Sequence, residues 1–205
     1  MTDLTMSLFN TQGFLPQGTK ADDRFAGIDF PTLPPILRVL LVTDGTVTKT
    51  LEAYFWEPVR VQVAWQRVLE PTEQPADVID VLGVQPGAPL WLRDVRLTGR
   101  TSGRSYALAS SYLAVDSIPV ALKNALLARQ LGIGELLRGD GLETCREILT
   151  MGSSVQITHS ALNADDKGPW VHRTYVIRHS GHRIMQIREH FPLPLYVGVE
   201  GQPMR

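Results

Sequence analysis

The 205-residue chain contains a single cysteine and no excess of charge of either sign. Because only Cys145 is available, no intramolecular disulfide can form and the fold must rest on its apolar core. Lys and Arg number 20 against 21 for Asp and Glu, which leaves a net charge of −1. This balance excludes the broad basic surface of a general nucleic-acid or membrane-surface binder, but it allows a local basic pocket.

Long apolar runs are absent as well. The longest strongly apolar stretch, residues 39–42, is far shorter than the roughly 20 residues that span a bilayer. The first 14 residues have neither a basic start nor a long apolar centre, so we expect no signal peptide and a cytoplasmic protein without membrane partners.

The apolar pattern that is present predicts an α+β protein. Helical spacing predicts helices at residues 36–42, 47–55, 119–130 and 133–137. Period-two alternation predicts strands at residues 59–68, 90–98, 104–115, 143–151, 170–178 and 183–191. Two short turns join four of these strands into antiparallel hairpins. We therefore expect a single antiparallel sheet of about six strands, partly covered by helices.

The remaining segments are assigned by composition. Residues 70–89 are rich in Pro, Glu, Asp and Gly, which indicates a long connection. We expect residues 1–32 to form an N-terminal arm, 33–197 the domain and 198–205 a tail. In the first strand, alternation places Val59, Val61, Val63 and Trp65 on one face.

Several features that suggest chemistry have plainer explanations. The sequence Asp44-Gly45-Thr46 echoes a phosphatase loop, but Val42 stands where the nucleophilic aspartate is needed. Four histidines lie near the C-terminus: His172, His179, His182 and His190. His172 and His182 fall near opposite ends of a predicted hairpin and His179 lies in its turn, so we interpret the four as surface polar residues rather than metal ligands. Cys145 lies in a strand pattern, where a small core residue is expected. We predict no metal and no cofactor.

Two charged residues interrupt otherwise apolar strands. Arg93 follows the apolar run 90–92, and Glu189 follows residues 184–188. On pattern alone, each belongs to a solvated strand face. The alternative is that both point into one pocket, where an arginine fork binds a carboxylate and a glutamate accepts a hydrogen bond or a proton from a hydroxyl.

An ordered set of motifs then supports the second interpretation. The set consists of Leu33-Pro34-Pro35-Ile36-Leu37-Arg38-Val39-Leu40-Leu41, Asp44-Gly45-Thr46-Val47-Thr48-Lys49, Leu90-Trp91-Leu92-Arg93-Asp94-Val95, Ser102-Gly103-Arg104, Ala109-Ser110-Ser111, Ile133-Gly134-Glu135-Leu136-Leu137, Cys145-Arg146-Glu147 and Ile187-Arg188-Glu189-His190-Phe191-Pro192. Over residues 33–194 this set resembles chorismate lyase, in the form found in cyanobacteria and plastids.

The resemblance implies a six-stranded antiparallel sheet with two helical flaps over an internal pocket. It also implies that Arg93 binds the ring carboxylate of chorismate, that Glu189 holds the ring hydroxyl, and that the backbone around Val47 and Ile133 caps the ligand. The implied reaction converts chorismate to 4-hydroxybenzoate and pyruvate without a cofactor, for quinone or other 4-hydroxybenzoate-derived synthesis. A monomer or small homo-oligomer is expected.

The chain departs from the family pattern in one respect. Proteobacterial members carry a second arginine where this sequence has Ala109-Ser110-Ser111. Ser110 is therefore a candidate substrate contact, and Arg104, Arg146 and Arg173 are candidates for the second substrate carboxylate. The same fold also serves as the effector-binding UTRA domain of bacterial repressors, so a non-catalytic small-molecule sensor is the alternative function.

Overall fold

The computed structural model describes residues 28–127, 133–134, 137, 143–155, 157 and 168–197. Its helices are α1 (Pro35–Val42), α2 (Val47–Phe55), α3 (Ala76–Leu82), α4 (Val120–Leu127) and α5 (Leu193–Tyr196). Its strands are β1 (Val59–Leu69), β2 (Leu90–Gly99), β3 (Ser105–Ala114), β4 (Cys145–Ser154), β5 (Trp170–His179) and β6 (His182–Pro192). The predicted α+β class with six strands is confirmed.

The strands form one antiparallel sheet in the order β1-β2-β3-β6-β5-β4. Hairpins join β2 to β3 and β5 to β6. In the second of these turns, Ser180 and Gly181 adopt positive φ angles of 49° and 82°, as a tight hairpin turn requires. The pairing of β3 with β6 brings the two hairpins together and places the residues of four strands side by side at the centre of the sheet.

Helices α1 and α2 cover one face of the sheet. Pro35 opens α1, where its missing N–H leaves no hydrogen bond unmade. Leu37, Leu40 and Leu41 follow at helical spacing and are all 0% exposed. Burying each of these side chains contributes roughly 2 kcal/mol, so the apolar stripe of α1 fixes this helix on the sheet.

Among the described residues, one helix packs on the opposite face of the sheet. Helix α3 packs Val78 and Leu82 against Leu90 and Ala114 in a small separate cluster. This helix lies within residues 70–89, the segment predicted as a long connection, and the composition of that segment did not reveal it. The i, i+4 spacing of Val78 and Leu82 is the helical signal that the surrounding Pro and Gly residues obscured.

The predicted face of β1 was correct as far as Val63. A β-bulge follows between Val63 and Trp65, and the extra residue reverses the alternation. Trp65 therefore pairs with Asp94, on the face away from Val61 and Val63, and Gln66 instead pairs with Arg93. The prediction for Trp65 was wrong because alternation within one strand cannot reveal a bulge.

Two further predictions about single residues were also wrong. Cys145 is exposed rather than part of the core, because it begins the edge strand β4. His190 is buried, at 6% exposed, rather than on the surface, and its ring centroid lies 5.5 Å from that of His172. The Trp170 ring also packs edge-on against His190, with centroids 6.5 Å apart.

Parts of several predicted segments fall outside the described residues. These are residues 1–27 of the predicted arm, 198–205 of the tail, 128–130 and 135–136 of the two later helices, and 161–167 of the loop before β5. Within the described part of the chain, no helix is long and apolar enough to cross a membrane.

Candidate active site

A cavity of about 540 Å³, including its open mouth, lies between the sheet and the α1–α2 segment. Strand pairing explains its walls: Arg93 lies opposite Ser111, and Ala109 lies opposite Glu189. Because alternate residues share a face, these four side chains line the cavity together. The rest of the wall is mostly aliphatic, formed by Val47, Val61, Val95, Leu97, Ile133, Ile177 and Ile187.

Two segments form the roof of the cavity. We call residues 43–48 the first flap, and Ile133 with Gly134 the described part of the second flap. A Cβ atom added to Gly134 would lie 3.3 Å from Thr46 Cγ2 and 3.6 Å from Arg146 Nη2. The two flaps therefore approach each other closely beside Arg146. Val47 and Ile133, the residues expected to cap a ligand, are both at this cavity.

Arg93 projects from β2 into the cavity and is only 2% exposed. Its Nε donates to Gln66 Oε1 at 3.2 Å, a contact that exists because the bulge in β1 turns Gln66 to this face. Burial lowers the pKa of the Arg93 guanidinium to about 10, so it remains charged at neutral pH. A buried cation of this kind gains from any anion that enters the cavity.

Glu189 lies on β6 with both carboxylate oxygens hydrogen-bonded. Oε2 accepts from Arg173 Nε at 2.8 Å, and Oε1 accepts from the Tyr175 hydroxyl at 3.2 Å. Burial raises the pKa of Tyr175 above its usual range, and the negative charge of Glu189 raises it further. Tyr175 therefore stays protonated and acts as a donor. A carboxylate offers about four acceptor sites, so Glu189 can still accept a hydrogen bond from a ligand.

Arg173 is fully buried beside Glu189 but is not among the cavity walls. Its Nη1 donates to the backbone oxygens of Leu41 at 3.3 Å and Thr43 at 2.8 Å. Burial lowers the pKa of Arg173, but the adjacent negative charge of Glu189 more than compensates, and the net change is upward. The protein thus supplies this arginine with its own counter-ion.

Arg146, on β4, does line the cavity. It donates to the backbone oxygen of Asp44, and its Nη1 lies 3.4 Å from Asp44 Oδ1. The Asp44 side chain is 70% exposed, whereas that of Arg146 is 15% exposed. An ion pair with so exposed a carboxylate is weak. Arg146 is therefore available to an anion inside the cavity, directly beneath the meeting point of the flaps.

The structure places two of the sequence candidates elsewhere. Ser110 faces the opposite side of the sheet, in a second cavity with Tyr112 and Arg188. Arg104 is exposed next to the turn between β2 and β3. Sequence reasoning missed Ser111, Gln66 and Tyr175. Only the strand registers, which the sequence does not state, show that these residues share the face of Arg93 and Glu189.

Comparison with known proteins places the chain in a family. The family model described as Chorismate pyruvate-lyase Rv2949c-like matches residues 41–197, which include every wall residue of the cavity. The chain belongs to this family. The protein named chorismate pyruvate-lyase of Mycobacterium tuberculosis (strain ATCC 25618 / H37Rv) is 27% identical over 157 residues, which cover 76% of this chain and 78% of the relative.

Two solved structures of PhnF share the fold of this chain. PhnF from Mycobacterium smegmatis superposes with a TM-score of 0.57 at 20% identity, over 74% of this chain and 65% of PhnF. The effector domain of PhnF superposes with a TM-score of 0.55 at 20% identity, over 72% of this chain and 88% of that domain. At these identities the likeness shows the fold alone. This member of the chorismate pyruvate-lyase family thus shares its fold with the effector domain of PhnF.

The charged residues on the cavity walls limit the chemistry that this cavity can support. Two arginines, Arg93 and Arg146, and one carboxylate, Glu189, surround an aliphatic interior. Among the residues that the structure describes, no three His, Cys, Asp or Glu side chains converge as metal ligands. The cavity therefore presents two cationic groups and one carboxylate on largely aliphatic walls.

Proposed function

We propose that this protein is a chorismate lyase, which converts chorismate into 4-hydroxybenzoate and pyruvate. The observation that carries the proposal is the presence of Arg93, Arg146 and Glu189 on the walls of one aliphatic cavity. Membership of the chorismate pyruvate-lyase family supports the same reaction. Chorismate carries two carboxylates and one ring hydroxyl, so three polar partners around an apolar surface match its chemistry.

In this proposal each of the three charged wall residues has one role. Arg93 binds the ring carboxylate, and its burial makes this ion pair strong. Glu189, held by Arg173 and Tyr175, accepts the hydrogen bond of the ring hydroxyl. The aliphatic walls hold the ring and exclude water from the reacting atoms.

Arg146 is the partner that we assign to the second carboxylate, on the enolpyruvyl group. Of the three arginines that the sequence left open, it alone lines the cavity, since Arg104 is exposed near a turn and Arg173 is neutralised by Glu189. Asp44, its present partner, is largely exposed, so the substrate carboxylate can replace it at little cost.

The reaction requires one bond to break and one proton to move. The ether bond between the ring carbon and the enolpyruvyl oxygen breaks, and the ring carbon that bears the hydroxyl loses its proton. The freed electron pair completes the aromatic ring of 4-hydroxybenzoate. The enolpyruvyl methylene gains a proton, which gives pyruvate. The protein's contribution is to hold the reactive conformer with its polar groups in place.

The test is to incubate the purified protein, treated with a chelator, with chorismate and to measure 4-hydroxybenzoate and pyruvate together. Equal amounts of the two products, above the spontaneous background, would establish the lyase. Arg93→Gln should abolish most of this turnover, whereas Arg104→Gln, a change of the same chemistry at an exposed position, should not. Tight binding of 4-hydroxybenzoate without turnover would instead support the alternative role of a sensor.

A further inference from the structure

Arg173 connects two parts of the site that are far apart in the chain. On one side its Nε donates to Glu189 at 2.8 Å. On the other side its Nη1 donates to the backbone oxygens of Leu41 and Thr43, at the end of α1 and the start of the first flap. Helix α1 ends at Val42, so these carbonyl groups have no partner within the helix and favour a cation.

The outer end of this guanidinium depends on two acceptors, the carbonyl of Leu41 in the last turn of α1 and that of Thr43 in the first flap. Nη2 is buried and has no hydrogen-bond partner, so Leu41 and Thr43 provide the contacts of the terminal nitrogens among the described residues. If the flap moves away, Arg173 keeps Glu189 and Leu41 but loses the carbonyl of Thr43, the shorter of its two contacts with this segment. A buried donor that loses its better acceptor is unfavourable, and the arginine must then reorient or take up water.

Reorientation of Arg173 also changes the environment of Glu189. The planar guanidinium places Nε and Nη1 in a fixed relation to each other, so it cannot follow the flap without turning its Nε relative to the Glu189 carboxylate. Tyr175 stabilises this arrangement from the side, because the Arg173 guanidinium carbon lies 4.8 Å from the centre of its ring. The position of the flap and the orientation of the carboxylate are therefore mechanically linked.

We propose that Arg173 is a positioning residue that couples the seated position of the first flap to the orientation of the Glu189 carboxylate. The importance of this coupling for catalysis rests on the proposed function, because Glu189 contacts a substrate only if the protein is a chorismate lyase. The coupling itself is a property of the ligand-free protein. Because coupling between two sites is reciprocal, a change at Glu189 must alter the flap, just as a change in the flap alters Glu189.

The experiment is hydrogen–deuterium exchange of the ligand-free protein, followed in peptides that cover residues 39–50. Arg173→Lys keeps the charge but loses the fork, and should raise exchange in these peptides about tenfold while peptides from β2 and β3 stay unchanged. The double variant Arg173→Met with Glu189→Gln removes both charges, so it folds without a buried unpaired ion, and it should raise flap exchange by a similar factor.

Glu189→Gln alone tests the coupling rather than a merely structural role of Arg173. Because Glu189 makes its polar contacts with Arg173 and Tyr175, the proposal expects flap exchange to rise at least threefold in this variant. Arg178→Lys is the matched control on the same strand: it alters an arginine that pairs with Glu147 at 3.5 Å, and it should leave the flap unchanged.

Two results would overturn the proposal. One is unchanged flap exchange in both Arg173 variants, which would mean that Arg173 does not hold the flap. The other is unchanged flap exchange in Glu189→Gln, which would mean that the flap and the carboxylate are independent. Neither measurement uses chorismate, so the absence of lyase activity in the unmodified protein would refute the proposed function without affecting this test.

Discussion

Arg173 and Glu189 lie directly opposite each other on β5 and β6, with Nε and Oε2 2.8 Å apart and both side chains buried. This contact divides the arginines of the site into two groups. Arg173 is paired with a buried carboxylate and lies outside the cavity walls, whereas Arg93 and Arg146 line the cavity. The net charge offered to a ligand by these four groups is therefore positive, although one of them is a carboxylate.

The first prediction concerns stability. Glu189→Gln leaves the Arg173 guanidinium buried without its counter-ion, so we expect the free energy of unfolding to fall by about 3 kcal/mol. Urea denaturation at neutral pH measures this change. Glu147→Gln is the control, because its partners Arg178 and Arg183 are partly exposed, and it should cost no more than about 1 kcal/mol. Equal losses in the two variants would contradict the prediction.

The second prediction concerns Arg93. Arg93→Gln removes the cation that we assign to the ring carboxylate, and a lost buried charge-assisted contact costs at least about 2 kcal/mol. We expect kcat/KM for chorismate to fall by roughly 30-fold or more. Steady-state assays of 4-hydroxybenzoate release measure it. Arg104→Gln should remain within about twofold of the unmodified protein, and retention of most activity by Arg93→Gln would refute the assignment.

The third prediction concerns which of the two substrate carboxylates Arg146 binds. If Arg146 binds the enolpyruvyl carboxylate, Arg146→Gln should raise the KM for chorismate at least tenfold. The Kd for 4-hydroxybenzoate should change less than threefold, because this product lacks the second carboxylate. Calorimetric titration with the product and kinetics with the substrate give the two values. A parallel loss of both affinities would show that Arg146 does not discriminate between them.

The fourth prediction concerns pH. Burial, together with the positive charge of Arg188, lowers the pKa of His172 to about 4, compared with about 6.5 in an unfolded chain. Between these values the unfolded state binds the proton and the folded state does not. His172 therefore has no effect on stability above about pH 6.5, and it destabilises the fold progressively as the pH falls towards 4.

His172→Gln should remove this contribution to the pH dependence. We expect the free energy of unfolding of the unmodified protein to decrease more steeply between pH 6.5 and pH 4 than that of the variant. The difference in slope should correspond to at most one proton. Urea titrations of both proteins at four or five pH values test this. Parallel curves would mean that His172 titrates equally in the folded and unfolded states.

Much of the local structure could be predicted because it depends on short-range patterns. The hairpins around residues 99–104 and 180–181 follow from turn residues between alternating segments, and α1 follows from Pro35 and the leucines behind it. The bulge in β1 and the short helix α3 could not be predicted. A bulge depends on the partner strand, and the seven-residue α3 is stabilised by its packing on the sheet.

For the site, the sequence by itself determined which residue types were available and that Arg93 and Glu189 stood out among apolar neighbours. Only the tertiary structure decided which residues meet. The pairing of β3 with β6 selects Ser111 over Ser110. The pairing of β5 with β6 assigns Arg173 to Glu189, and Arg146 is left at the cavity. The physical reason is that side chains in a strand alternate between faces, so a shift of one residue moves a side chain to the other side of the sheet. Long-range strand pairing, which no local pattern records, fixes that register.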